Sequence, residues 1–186
     1  MARIPIPSEQ DRTSEQQRVY DEIKAHSRDN RVGAPYQLGL HCPQFLEKWA
    51  DVGRLLRYGT SLPPRLSELA ILVTAHHWTC QYEWMAHEPH ALKAQLPQSV
   101  VEAIRLGKRP VFADPTDEAV YLYCRQLHET HFVDDDTYER VLVKLGATGI
   151  VELTALVGHY AMIAMMLNAN GYSVPPGAEE SLPRFS

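Results

Sequence analysis

The residues most able to do chemistry in this chain fall in one stretch, from position 76 to position 87. If the stretch is helical, four of its side chains share an arc of roughly 60°, because successive helical residues are turned by about 100°. One face then carries two imidazoles, a thiol and a carboxylate, from His76, Cys80, Glu83 and His87. Apolar residues flank the stretch, so we predict a polar stripe in an apolar frame, as in a reaction centre.

Acid–base catalysis is the chemistry that this face favours. Burial raises the pKa of a carboxyl group towards neutrality, where it can exchange protons with an imidazole. We predict that His87 is the general acid or base, and that Glu83 and Glu68 orient it or shuttle its proton. The structural alternatives are that Glu83 and His87 form an i, i+4 pair that only stabilises a helix, and that Glu68 bonds Arg65 or a partner chain.

Cys80 has two interpretations. At the start of a helix, the partial positive charge of the N-terminus favours the thiolate, which would make Cys80 a reactive group in the site. A lone cysteine is otherwise a small buried hydrophobe. The chain has 3 cysteines, an odd number at wide spacing, which predicts reduced thiols rather than a disulfide framework.

A second set of residues is predicted to bind substrate rather than to react. The aromatic members are candidates for the pocket wall, and only one of the adjacent His76 and His77 can face the site. Glu152 and His159, seven residues apart on one helical face, either support the site or form a core ion pair. No metal site is predicted, because HExxH and paired ExxH spacings are absent from the sequence. The substrate-binding candidates are His76, Trp78, Tyr82, Trp84, Glu152 and His159.

The elements that must position these residues are predicted to be seven or eight helices, since no strand-like alternation of useful length occurs. The segments 64–77 and 149–169 are mostly apolar and are predicted to form the core. A continuous helix over 64–94 would be about 45 Å long, too long for a compact domain. We therefore predict a break near Trp78 and Thr79, with Thr79 capping the second helix.

Length and charge restrict the class of protein further. The chain has 186 residues and a net charge of −5, which fits one domain able to bury a core without metal or disulfide staples. Scattered Lys and Arg residues predict no nucleic-acid surface. We find no run of about 18 apolar residues and no apolar signal-peptide core near the N-terminus, so we expect no membrane span and a cytoplasmic protein.

Three motifs, in this order, resemble the carboxymuconolactone decarboxylase family, which shares its fold with the AhpD-like alkylhydroperoxidases. The motifs are LPPRLSELAIL at 62–72, YEWMAH at 82–87, and VEL through GHY to LN at 151–168. The resemblance covers roughly residues 34 to 175. It implies one all-α, AhpD-like domain over 1–186, with an N-terminal extension at 1–42, a core at 43–173 and a tail at 174–186.

The resemblance also implies a function. It implies a lyase without a cofactor that acts on a small organic acid, lactone or related carbonyl compound, in a homo-oligomer such as a dimer, trimer or hexamer. Its site would lie on the helices that hold Glu68 and His87. In the peroxidase branch the motif is a glutamate, then Cys-x-x-Cys, then a histidine four residues later. Here Glu83 replaces the second cysteine, and a dithiol cycle needs both sulfurs.

Two alternatives from other classes stay open. One is a redox protein that uses Cys80 alone and needs an external thiol to resolve the oxidised form. The other is a non-catalytic helical oligomer whose polar face is only an interface.

Overall fold

The computed structural model describes residues 3–27, 30–175 and 177–183. Over these residues all regular structure is helical, which confirms the predicted all-α fold. The described helices are α1 (Ser14–His26), α2 (Ala34–Gly39), α3 (Pro43–Tyr58), α4 (Pro64–His77), α5 (Gln81–Lys93), α6 (Gln98–Arg105), α7 (Pro115–Glu129) and α8 (Asp135–Ala169), after a 3-10 turn at Glu9–Asp11.

The chain divides into two compact units between Gly59 and Thr60. In the first unit, α3 packs against both α1 and α2. Thr13 and Gln16 form a capping box that satisfies backbone N–H groups at the start of α1. The ring of Trp49 is buried between Tyr36 and Phe45, whose centroids lie 4.8 and 5.7 Å away.

The second unit is organised around α4, which packs against α5, α6, α7 and α8. Every residue from Leu66 to Ala75 is buried. A helix that is apolar nearly all round can bury itself only by lying in the middle of other helices, as the sequence predicts for this segment. Pro64 lies in the first turn of α4, where its missing N–H costs little.

The second predicted core segment, 149–169, is the later part of a longer helix. α8 begins at Asp135, and its backbone is broken at Gly146, which has a φ of 66°. Glycine reaches this left-handed region without the steric cost that a Cβ imposes. Beyond the break, one side of α8 is buried through Leu153, Leu156 and Leu167.

One described helix is long and apolar enough to cross a membrane when judged by length and composition alone. It is Asp135–Ala169, with a mean hydropathy of 1.7 in its most apolar window. Of that window, 56% is buried inside the protein. A share of this size is typical of a core helix, because the apolar residues of such a helix face other helices.

The predicted break between α4 and α5 is present. α4 ends at His77, α5 begins at Gln81, and Thr79 between them adopts a left-handed backbone with a φ of 48°. The predicted cap is wrong: Cys80, not Thr79, is the N-cap residue of α5, and its side chain makes no capping hydrogen bond. The left-handed residue reverses the chain, so α5 packs back against α4.

Candidate functional site

The reversal after α4 brings Glu68 of α4 against His87 of α5. Glu68 Oε2 lies 2.9 Å from His87 Nδ1. The two side chains are 3% and 13% exposed. An ionised Glu68 can only accept a hydrogen bond, so with it a neutral imidazole carries its proton on Nδ1 and donates it to Oε2. Proton exchange with a bound molecule then falls to Nε2 of His87.

Glu83 lies on the same buried face of α5 as His87, one turn earlier. It is 2% exposed, and apart from the adjacent Cys80 thiol neither of its carboxyl oxygens has a hydrogen-bond partner among the described residues. Burial raises the pKa of Glu83 to about 8, and the nearby Cys80 thiol offsets part of that rise. At neutral pH this carboxyl group is therefore mostly protonated, and it can donate a hydrogen bond.

The structure corrects the predicted pairing of Glu83 with His87. The two side chains share a face, but the carboxylate that binds the imidazole is Glu68. The physical reason is the antiparallel return of α5 along α4, which presents Glu68 to Nδ1 from the neighbouring helix. The alternative in which Glu68 bonds Arg65 is also not realised, because Arg65 binds Asp114 and Asp117.

The structure also corrects the expected reactivity of Cys80. Although Cys80 stands at the start of α5, it is fully buried. Burial and the neighbouring Glu83 carboxyl raise the pKa of the thiol well above its ordinary value. Desolvation of a thiolate thus outweighs the favourable field of the helix N-terminus, and the thiol stays protonated.

Tyr160 of α8 is a residue near the site that the sequence reasoning missed. Its ring is perpendicular to the ring of His87, with centroids 5.0 Å apart at 87°. The neighbouring His159 is buried, and desolvation lowers its pKa to about 4, so its imidazole is neutral. Both residues belong to the GHY motif at 158–160, from which only His159 was predicted to be a site residue. His90, with its ring 6.0 Å from that of His87, was missed as well.

Two of the substrate-binding candidates, Glu152 and Trp84, have structural roles. Glu152 accepts hydrogen bonds from the backbone N–H and the hydroxyl of Ser61, at 2.9 and 2.6 Å. The predicted Glu152–His159 pair is therefore corrected, since seven residues along a helix span about 10 Å. Trp84 is fully buried and belongs to the core.

Tyr82 and Trp78 lie nearer the surface than Trp84. Both are partly exposed. The carbonyl of Trp78 accepts a hydrogen bond of 2.6 Å from Asn168 of α8, which ties the turn after α4 to α8. Burial raises the pKa of the Tyr172 phenol, and the nearby Tyr82 adds to that rise.

The ring of His76 lies against Gly107 after α6, whereas His77 and His128 form a separate pair at the C-terminal ends of α4 and α7. The rings of His77 and His128 are stacked with centroids 4.6 Å apart. His128 Nε2 donates to the hydroxyl of Thr74 at 3.0 Å, because that hydroxyl donates its own hydrogen to Ala70. Desolvation lowers the pKa of all three imidazoles, although His77 keeps an exposed side.

The part of the chain that the structure describes contains no cluster of side chains arranged to bind a metal ion. Over residues 3–27, 30–175 and 177–183, no three or more His, Cys, Asp or Glu side chains are placed to hold one ion. The groups gathered on α4 and α5 are instead an imidazole, two buried carboxyl groups and a protonated thiol. This set is suited to proton transfer and hydrogen bonding.

Comparison with known proteins supports the resemblance drawn from the motifs. Residues 43–124 match the model of the carboxymuconolactone decarboxylase family. The matched segment contains Glu68, Cys80, Glu83 and His87, whereas α8 with Tyr160 lies beyond it. No curated protein matches the chain.

Proposed function

We propose, from the match of residues 43–124 to the model of the carboxymuconolactone decarboxylase family, that the protein is an enzyme that uses acid–base side chains on a small organic acid, lactone or related carbonyl compound. The observation that carries the proposal is the 2.9 Å bond between Glu68 Oε2 and His87 Nδ1. An imidazole held by a carboxylate is the usual arrangement of an oriented general acid or base.

The proposed division of labour gives His87 the proton transfer. As an imidazolium, His87 donates its Nδ1–H to Glu68 as a hydrogen bond and delivers its Nε2 proton to a carbon atom of the substrate. Glu68 stabilises the positive charge of the imidazolium and restricts its rotation. Because the pair is almost completely buried, little of this electrostatic stabilisation is lost to water.

Glu83 has the second role, as a neutral hydrogen-bond donor. In a decarboxylation, the bond between carbon and the carboxylate breaks, carbon dioxide leaves, and the electron pair moves into the adjacent unsaturated carbonyl system. A carboxyl group kept protonated by burial can donate a hydrogen bond to the oxygen on which that charge develops. His87 then protonates the carbon and recovers its proton from solvent.

The test is turnover of carboxymuconolactone by the purified full-length protein, followed as carbon dioxide release. Glu68→Gln keeps the shape of the side chain but removes the charge that orients His87. We expect kcat to fall by about 10² to 10⁴, the usual worth of general acid–base catalysis. The matched control is Glu118→Gln, which replaces a carboxylate bound to Arg140 between α7 and α8 and should leave kcat unchanged.

Two results would count against the proposal. One is no carbon dioxide release from this lactone acid, nor turnover of related lactones and unsaturated acids, by the unmodified protein. The other is a Glu68→Gln protein that turns over substrate at the unmodified rate. Thermal unfolding of both variants, recorded alongside, separates a loss of chemistry from a loss of folded protein.

A further inference from the structure

A segment that follows α8 is fastened to the first residue of α5. The carboxamide of Gln81 binds both backbone groups of Leu182: Nε2 donates to the carbonyl oxygen at 2.7 Å, and Oε1 accepts from the backbone N–H at 2.9 Å. Gln81 and Leu182 are 8% and 4% exposed. Arg105, the last residue of α6, donates from Nη1 to the carbonyl of Ser181 at 3.0 Å. We call residues 177–183 the strap, and these three bonds the clasp.

The strap has little regular structure of its own. Residues 177–183 contain no helix or strand, and Gly177 has a φ of 88° with open space around its Cβ direction. Ser173 binds Glu180 at 2.6 Å, a bond that stays within the segment after α8. Segments without regular structure open locally at a lower free energy than the helices around them.

The clasp lies beside the buried groups at the start of α5. Cys80 immediately precedes Gln81 and is fully buried, although residues at a helix start after a turn are commonly solvated. One turn further along, Glu83 is buried, and apart from the Cys80 thiol its oxygens have no hydrogen-bond partner among the described residues. A thiol is only a weak hydrogen-bond donor, so this buried carboxyl group can still bind a water or a ligand.

We propose that the strap is a gate: release of Leu182 from Gln81 admits small solutes to Cys80 and Glu83 at the start of α5. The inference rests on the clasp and on burial, and it holds whatever reaction the site performs. In the closed state, Leu182 and the Gln81 carboxamide exclude solvent from this end of α5. In the open state, the helices keep their places and only the strap has moved.

The three cysteines allow a direct test on the full-length protein. Cys42 is exposed, whereas Cys80 and Cys124 are buried. The protein is treated with N-ethylmaleimide under native conditions, and labelling of each cysteine is timed by peptide mass spectrometry. In Gln81→Ala, which removes two bonds of the clasp, we expect Cys80 to be labelled at least tenfold faster than in the unmodified protein. Cys124, in α7, should keep its rate, and Cys42 should react rapidly in both.

Two further variants make the test specific. Leu182→Ala removes the buried side chain of the strap and should also speed labelling of Cys80 at least tenfold. Glu179→Ala changes an exposed residue of the same strap and should leave the rate unchanged.

Either of two results would overturn the gate. Equal Cys80 rates in the unmodified protein, Gln81→Ala and Leu182→Ala would show that the clasp does not control access. Joint acceleration of Cys80 and Cys124 by the same factor in both variants would show that general unfolding, and not movement of the strap, exposes Cys80.

Discussion

Glu68 Oε2 lies 2.9 Å from His87 Nδ1, across 19 residues of sequence and one reversal of the chain. The bond joins α4, the central buried helix of the second unit, to α5. One side of the site is therefore rigid. Glu83, which the sequence also placed beside His87, does not bind the imidazole. Its environment controls its protonation, and that protonation can be measured.

We expect Glu83→Gln to change how stability depends on pH. The pKa of Glu83 is raised from 4.5 to about 8 in the folded protein. The folded state therefore binds more protons than the unfolded state between these values, and this contribution to stability is lost as the pH rises from 4.5 to 8. Each pKa unit corresponds to about 1.4 kcal/mol. The free energy of unfolding of the variant, minus that of the unmodified protein, should therefore rise by a few kcal/mol from pH 4.5 to pH 9, as measured by urea unfolding.

The control for Glu83 is Glu179→Gln, which changes an exposed carboxylate. Its unfolding free energy should follow that of the unmodified protein at every pH. If Glu83→Gln also follows it, Glu83 ionises normally in the folded state and is not the neutral donor proposed for the site.

His128 should contribute a pH dependence of opposite sign. Burial and the stacked His77 lower the pKa of His128 to about 4. Protonation then favours the unfolded state, so stability is lost as the pH falls from about 6.5 to 4. His128→Gln keeps a donor for Thr74 but cannot be protonated. We expect its melting temperature to fall less between pH 7 and pH 4.5 than that of the unmodified protein.

His26→Gln is the matched control, since His26 is an exposed imidazole at the end of α1. The two variants are compared by how far their melting temperatures fall between pH 7 and pH 4.5. An equal fall would show that protonation of His128 does not cause the loss of stability in acid.

Cys80→Ser should leave most of the turnover of the true substrate intact. The thiol is fully buried and its pKa is raised, so little thiolate exists to act as a nucleophile. Steady-state kinetics of the variant is the measurement, with Cys124→Ser as a second buried thiol for comparison. A loss specific to Cys80 and larger than about a hundredfold, or 2.7 kcal/mol of barrier, would make the thiol a reacting group and favour the redox alternative.

Self-association is expected through the outer face of α8. This face carries no charge and repeats at positions three and four residues apart, as in packed helix pairs. Val151 on it is 68% exposed. Light scattering at micromolar concentration should give a dimer or larger species, and a stable 21.1 kDa monomer would contradict the expectation. The face consists of Val151, Ala155, Gly158, Met162 and Met165.

A charge placed on this face should dissociate the oligomer. Val151→Lys puts an ammonium group into the apolar contact and should lower the mass measured by light scattering. Val143→Lys is the control, because Val143 is 69% exposed on the same helix but before the break at Gly146. Equal masses for the two variants would place the contact elsewhere.

The second unit could be predicted from the sequence because its central helix has a strong signal. A helix apolar on all sides must be central, and one of about 45 Å must break, which together bring α5 back along α4. That Glu68 reaches the region of His87 follows from the same argument. What could not be predicted is which carboxylate binds the imidazole, because an offset of one turn between two packed helices decides it.

The other misses have similar causes. Tyr160 comes from α8, and its contact with His87 depends on how that helix crosses α5, which no local pattern specifies. The position of the strap could not be predicted either, because Gln81 and Leu182, which bind each other, lie 101 residues apart in the sequence. The cap of α5 was misplaced by one residue because Thr79 adopts the left-handed conformation that turns the chain.

The clasp also bears on how the protein can be handled. A fusion or surface tether joined after the strap would be attached within a few residues of Leu182, so any pull on it would act on the two bonds to Gln81. Such an attachment would set the position of the strap, and preparations tagged at opposite ends would then differ in how readily reagents reach Cys80. An attachment before α1 joins the first unit, which contributes none of the three bonds of the clasp.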